Sequence, residues 1–76
     1  MESIIQAGDS AKANGDNLMA RVNYETAARI ALYEQNKDEV IRCVTLAEQA
    51  QPRELHKTLL SKIDKVMTIS HRYYHD

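Results

Sequence analysis

Few side chains in this chain could do chemistry, and three of them are histidines. His71 and His75 stand four residues apart, which puts two imidazoles on one helical face. Asp64 shares that face and Asp76 follows in the chain, so the set could begin a metal site. A structural zinc site wants four ligands, and no cysteine pair is present to complete one. The pair therefore reads as two solvent-exposed histidines near the end of the chain. Cys43 could be a nucleophile if His56 lay beside it as a base. Cys43 falls on the inner face of its helix, however, and His56 falls within an apolar arc. The expectation is a packed, inert thiol and a partly buried, hydrogen-bonded histidine. Arg53, Lys57, Lys65 and Arg72, with His71 and His75, make a basic face that could contact phosphates, with Tyr73 and Tyr74 to stack on bases. Glu54 and Asp64 interrupt that face, which reads more simply as a solvated surface.

Composition limits what these residues can serve. The chain has 76 residues, 43% apolar and 28% charged, which argues against disorder and allows a single small domain, residues 1–76. That length cannot house a dinucleotide-binding unit. One cysteine excludes a disulfide framework. Ten Lys and Arg face eleven Asp and Glu, so no global basic field attracts nucleic acid. There is no Gly-rich phosphate loop, no serine-nucleophile motif and no cofactor motif, so a non-enzymatic protein is expected. No apolar run is long enough to span a bilayer, and the first residues lack a signal-peptide pattern. The expected location is the cytoplasm, with no membrane insertion.

The elements follow from punctuation and period. Asn14-Gly15-Asp16-Asn17, Asn36-Lys37-Asp38 and Gln51-Pro52 divide the chain. Gly15 tolerates positive φ, Asn36 can end one helix and Asp38 start another, and Pro52 suits a first helical turn. The four intervals lack strict alternation and read as helices. The last, about residues 53–74, gathers Leu55, Leu59, Leu60, Ile63, Val66, Met67, Tyr73 and Tyr74 on one arc. The third, about 38–50, buries Val40, Cys43, Val44 and Ala47. The second, about 17–35, is apolar all round. Ala20, Ala27 and Ala31 form a narrow stripe flanked by Tyr24 and Ala28, while Met19, Val22, Ile30 and Tyr33 lie opposite. Such a helix should be sandwiched. Its close neighbour should be the first helix, through Ile4, Ala7, Gly8 and Ala11. Gly8 costs about 1 kcal/mol against Ala inside a helix, and close backbone approach would justify it.

These small residues also carry a family pattern. Gly8, Ala20, Tyr24 and Ala27, with Gly15-Asp16 at the turn, resemble the tetratricopeptide repeat, a helical hairpin of about 34 residues. Gly15, Ala20, Tyr24 and Ala27 are also similar to the microtubule-interacting and transport domain, a three-helix bundle. The likeness covers residues 1–34. Ile4 stands where the repeat prefers Trp, Ala7 replaces its Leu, Ala11 its Tyr, and Asn17 the turn Tyr of both families. A second repeat fails, because Arg42, Glu54, Thr58 and Ser61 occupy the signature positions. The resemblance implies binding of peptides or partner helices in grooves.

The expectation is thus an all-α protein, a small antiparallel bundle of three to four helices in which a repeat-like hairpin is covered by two more. Its work would be binding a protein or peptide between helices, with Met19, Tyr33, Ile41 and Leu46 as groove residues. Ile5 and Ile69 lie off their helices' main stripes and add to the apolar surplus. A homodimer would also stabilise so small a chain. The alternative is a nucleic-acid-associated protein using Arg53, Lys57, Lys65 and Arg72. No metal or cofactor is expected.

Overall fold

Short polar side chains stop and restart the helices. The computed structural model describes residues 1–75, and among them there are five helices and no strand. They are α1 (Glu2–Ala13), α2 (Asn17–Tyr33), α3 (Lys37–Ala50), α4 (Glu54–Ser61) and α5 (Ile63–His75). The first two turns are built alike. Gly15 takes φ +80° and donates to the Lys12 carbonyl at 3.0 Å, while the Asp16 N–H reaches the Ala11 carbonyl at 2.8 Å. Gln35 takes φ 58° and donates to Leu32 at 3.1 Å, while the Asn36 N–H reaches Ala31 at 2.9 Å. Each turn satisfies carbonyls left open at a helix end. The next residue then caps the following helix. Asp16 Oδ1 accepts from the Met19 N–H at 3.1 Å, and Asn36 Oδ1 from the Glu39 N–H at 3.2 Å.

Two boundaries differ from expectation. Asn36, not Asp38, caps α3, and the left-handed residue closing α2 is Gln35. Asp38 sits inside the first turn, where its charge suits the helix dipole. Pro52 does not open a helix. It lies in an extended linker between Gln51 and Arg53, and α4 begins at Glu54.

The core lies along α2, which packs against α1, α3 and α5. Ala20, Ala27 and Ala31 are fully buried, as the small-residue stripe required, with Tyr24 and Ala28 beside them. From α3 come Val40, Cys43, Val44, Ala47 and Ala50. From α1 come Ile5 and Gly8, with Ile4 and Ala11 half-buried at the edge. The inner face of α1 is therefore rotated from the expected one. Ile5 belongs to the core and Ala7 faces water. Gly8 is accounted for by an aromatic ring. A Cβ built there would stand 2.7 Å from Tyr24 Cε1 and 2.9 Å from Cδ1. Tyr24 is pinned from its other end, where its hydroxyl donates to Asp9 Oδ1. Burial first, then that carboxylate, pushes the Tyr24 phenol up to about 12.

The expected single helix over 53–74 is two helices, broken at Lys62 (φ -118°, ψ 30°). Its two anchors on α2 explain the break. His56 meets Glu25, and Ser70 Oγ donates to the Leu32 carbonyl at 3.1 Å. At 1.5 Å per residue those α2 sites lie about 10 Å apart along the axis, whereas His56 and Ser70 would lie about 21 Å apart on a straight helix. The chain bends between the anchors. Thr58 Oγ1 to the Glu54 carbonyl and Ser61 Oγ to the Thr58 carbonyl compete for backbone acceptors there. Three residues of the expected buried arc come out exposed: Leu55, Tyr73 and Tyr74. Nor is α2 fully sandwiched. Leu18, Met19 and Val22 stay exposed, because α5 meets α2 at the other end, near Leu32 and Tyr33.

Candidate functional site

The densest polar cluster surrounds His56, which is 1% exposed. Position 56 on the inner side of α4 carries the ring into the angle between α2 and α3. Its Nε2 lies 2.6 Å from Glu25 Oε2 on α2, and its Nδ1 lies 2.8 Å from Glu48 Oε1 on α3. Each ring nitrogen thus faces one carboxylate oxygen, on a different helix from the other. The carboxylates are shared further. Arg21 Nη1 reaches Glu25 Oε1 at 2.9 Å, Arg53 Nη1 reaches Glu25 Oε2 at 3.0 Å, and the Arg53 N–H donates to Glu48 Oε1 at 2.9 Å. Arg21 Nε also donates to Gln51 Oε1 at 2.6 Å.

Burial alone would raise the Glu25 carboxyl, but hydrogen bonds from His56, Arg53 and Arg21 outweigh it and hold it below the ordinary range. Glu48 is held low by the Arg53 backbone N–H and then by His56. With both ring nitrogens engaged, His56 offers no free lone pair to a substrate or metal. Its physical role is to join α2, α3 and α4. Cys43 is fully buried, and burial pushes its thiol up. That suits a packing role better than a nucleophilic one. Among the described residues no group of His, Cys, Asp and Glu is arranged to hold a metal. Asp76, which the sequence set beside His75, lies outside the described residues. His75 Nε2 lies 2.8 Å from the Tyr33 carbonyl, and the rings of His71 and His75 stand 5.4 Å apart.

The surface is more informative than the interior. Of the four expected groove residues, Met19 and Tyr33 are exposed on α2, whereas Ile41 and Leu46 are half-buried on α3. Met19 and Tyr33 lie at opposite ends of α2, about 21 Å apart along its axis. The structure does not bring them into one groove. Tyr33 instead packs edge-on against Tyr74, with ring centroids 5.3 Å apart. Of the expected phosphate contacts, Arg53 is spent on Glu25, and Lys57 lies on α4 across the bend from Lys65 and Arg72 on α5. The four do not form one helical face. A shallow cavity of about 380 Å³ is lined by Gln35, Met67, Thr68, His71 and Arg72.

Sequence reasoning singled out Met19 and Ile69 but not the exposed apolar clusters to which they belong. One is Leu18, Met19 and Val22 on α2; the other is Ile69 and Tyr73 on α5, at 56% and 80% exposure. Ile69 gave a signal, since it stood off its helix's main stripe. Tyr73 did not, because the arc assigned from period alone placed it inside. No family model matches the chain, and no curated protein or solved structure matches it either. No described helix is long and apolar enough to cross a membrane.

Proposed function

We propose that this chain is a non-enzymatic interaction module, an adaptor-like domain that binds a partner helix or peptide on its exposed apolar surface. The observation that carries this reading is that surface itself. Leu18, Met19 and Val22 on α2 form one patch of large exposed apolar side chains, and Ile69 and Tyr73 on α5 form a second. Contiguous exposed apolar groups mark interaction sites. The reading is also supported by the repeat-like pattern of residues 1–34. Its Gly8 and Tyr24 are in contact and its Ala20 and Ala27 are fully buried. Fold likeness alone is a weak warrant for function, so the surface carries more weight. The cytoplasm remains the proposed location.

Affinity capture from extract of the native cell, followed by mass spectrometry and repeated at rising salt, tests this. The expected result is a protein partner whose recovery falls with salt far less steeply than phosphate-dominated binding would. Recovery of nucleic acid with a steep salt dependence, or of small metabolites, would overturn the reading in favour of phosphate contacts or catalysis.

A further inference from the structure

We propose that the outer face of α5 is the docking surface for an acidic amphipathic helix. This rests on the interaction-module reading and names the kind of partner. Val66, Ile69 and Tyr73 stand at i, i+3 and i+7, an apolar ladder spanning about 10 Å and an arc of about 60°. Ile69 and Tyr73 are exposed and Val66 is half-buried, so the ladder rises from the domain's edge into solvent. Lys65 and Arg72, both exposed, run along the flank of the ladder next to Ile69. Among the described residues neither makes an ion pair, whereas the helix's carboxylate Asp64 sits about 140° round from Ile69. Asp64 is held by Lys37 Nζ at 2.6 Å, so it does not neutralise the basic flank.

Charge and shape together select the occupant. A partner helix laid along α5 would set apolar side chains on Val66, Ile69 and Tyr73, and Glu or Asp beside Lys65 and Arg72. Ile69 decides against phosphate ligands. An aliphatic side chain beside the cations gains nothing from a nucleic-acid backbone, and only Tyr73 of the ladder could stack on a base. A lipid surface is a poorer fit, because membrane-bound helices present a broader apolar face than these three side chains provide.

The test uses the whole chain and a fluorescein-labelled peptide of 18 residues with leucines on one helical stripe and glutamates flanking it. A scrambled peptide of the same composition is the control. Anisotropy should show saturable binding of the first and not the second. Amide shift changes should centre on residues 65–73. Ile69→Ser, at an exposed site that leaves the fold intact by circular dichroism, should weaken binding about fivefold to twentyfold. Lys65→Gln with Arg72→Gln should weaken it and flatten its salt dependence. Equal binding of both peptides, no saturation up to about 1 mM, or tighter binding of single-stranded DNA or anionic vesicles that Ile69→Ser leaves unchanged would overturn the proposal. So would a concentration-dependent dimer abolished by Ile69→Ser, which would give the face to a second copy. If Ile69→Ser still captures the native protein partner, this face is wrong and the interaction-module reading stands. If only nucleic acid is captured, that reading falls as well.

Discussion

Gly8→Ala isolates the contact on which the α1–α2 hairpin is built. In an open helix the change would stabilise the chain by about 1 kcal/mol, because Ala has the higher helix propensity. Here the added methyl would meet the Tyr24 ring at 2.7 Å, 2.9 Å and 3.0 Å. The ring cannot swing away cheaply, since it is 1% exposed and its hydroxyl is bound to Asp9. Overpacking of this kind costs about 1–3 kcal/mol, and a contact well inside van der Waals distance belongs at the upper end. The net loss should be about 1–2 kcal/mol, which for a domain of this size lowers Tm by about 5–15 °C. Thermal unfolding followed by circular dichroism at 222 nm reads it. A double-mutant cycle assigns the cause: in a Tyr24→Leu background the same glycine change should cost at least about 1 kcal/mol less. A Gly8→Ala protein as stable as the wild type, or a loss that persists in full in the Tyr24→Leu background, would refute ring contact as the reason for the glycine.

The remaining predictions concern the polar cluster and the thiol. His56→Ala should cost about 2–3 kcal/mol by urea titration, because it leaves a cavity and removes the ring that links Glu25 and Glu48; a loss under about 0.5 kcal/mol would make the cluster incidental. Glu25 and Glu48 have folded values below the ordinary 4.5, so their contribution is complete above that value and disappears as pH falls through the folded values. Wild type should therefore lose more of its urea midpoint between pH 6 and pH 3 than the Glu25→Gln/Glu48→Gln variant, and parallel curves would contradict the assignment. Cys43, buried and with its thiol shifted upward, should react with an aromatic disulfide reagent far more slowly in buffer than in urea, and equal rates would mean that the helix face was misjudged.

Much of the interior was legible because small residues and helix breaks are local signals. Ala20, Ala27, Ala31, Val40, Cys43, Val44 and Ala47 are all buried where period placed them. The turn at Gly15 and the cap at Asp16 followed from backbone chemistry that needs no tertiary context, whereas the cap of α3 fell on Asn36 and not on Asp38. What period could not supply was rotation and bend. Ile4 and Ile5 are adjacent and equally apolar, and only the seating of Gly8 on Tyr24 decides which turns inward. The arc of the last segment was continuous in sequence, so nothing local marked Lys62 as a break. That break is set by where Glu25 and Leu32 sit on another helix. The expected groove failed to assemble for the same reason, since Met19 and Tyr33 share a face of α2 without sharing a neighbourhood.

The paired turns at Asn14–Asp16 and Glu34–Asn36 leave no slack between the first three helices. Asp16 and Asn36 each finish one helix through the backbone N–H and begin the next through the side chain. Lengthening either turn by even one residue would separate the N–H that closes one helix from the side chain that caps the next. Grafted sequence should accordingly be rejected at both corners, and an engineer wishing to splice a tag or a second domain into the middle of this protein would have to look elsewhere along the chain.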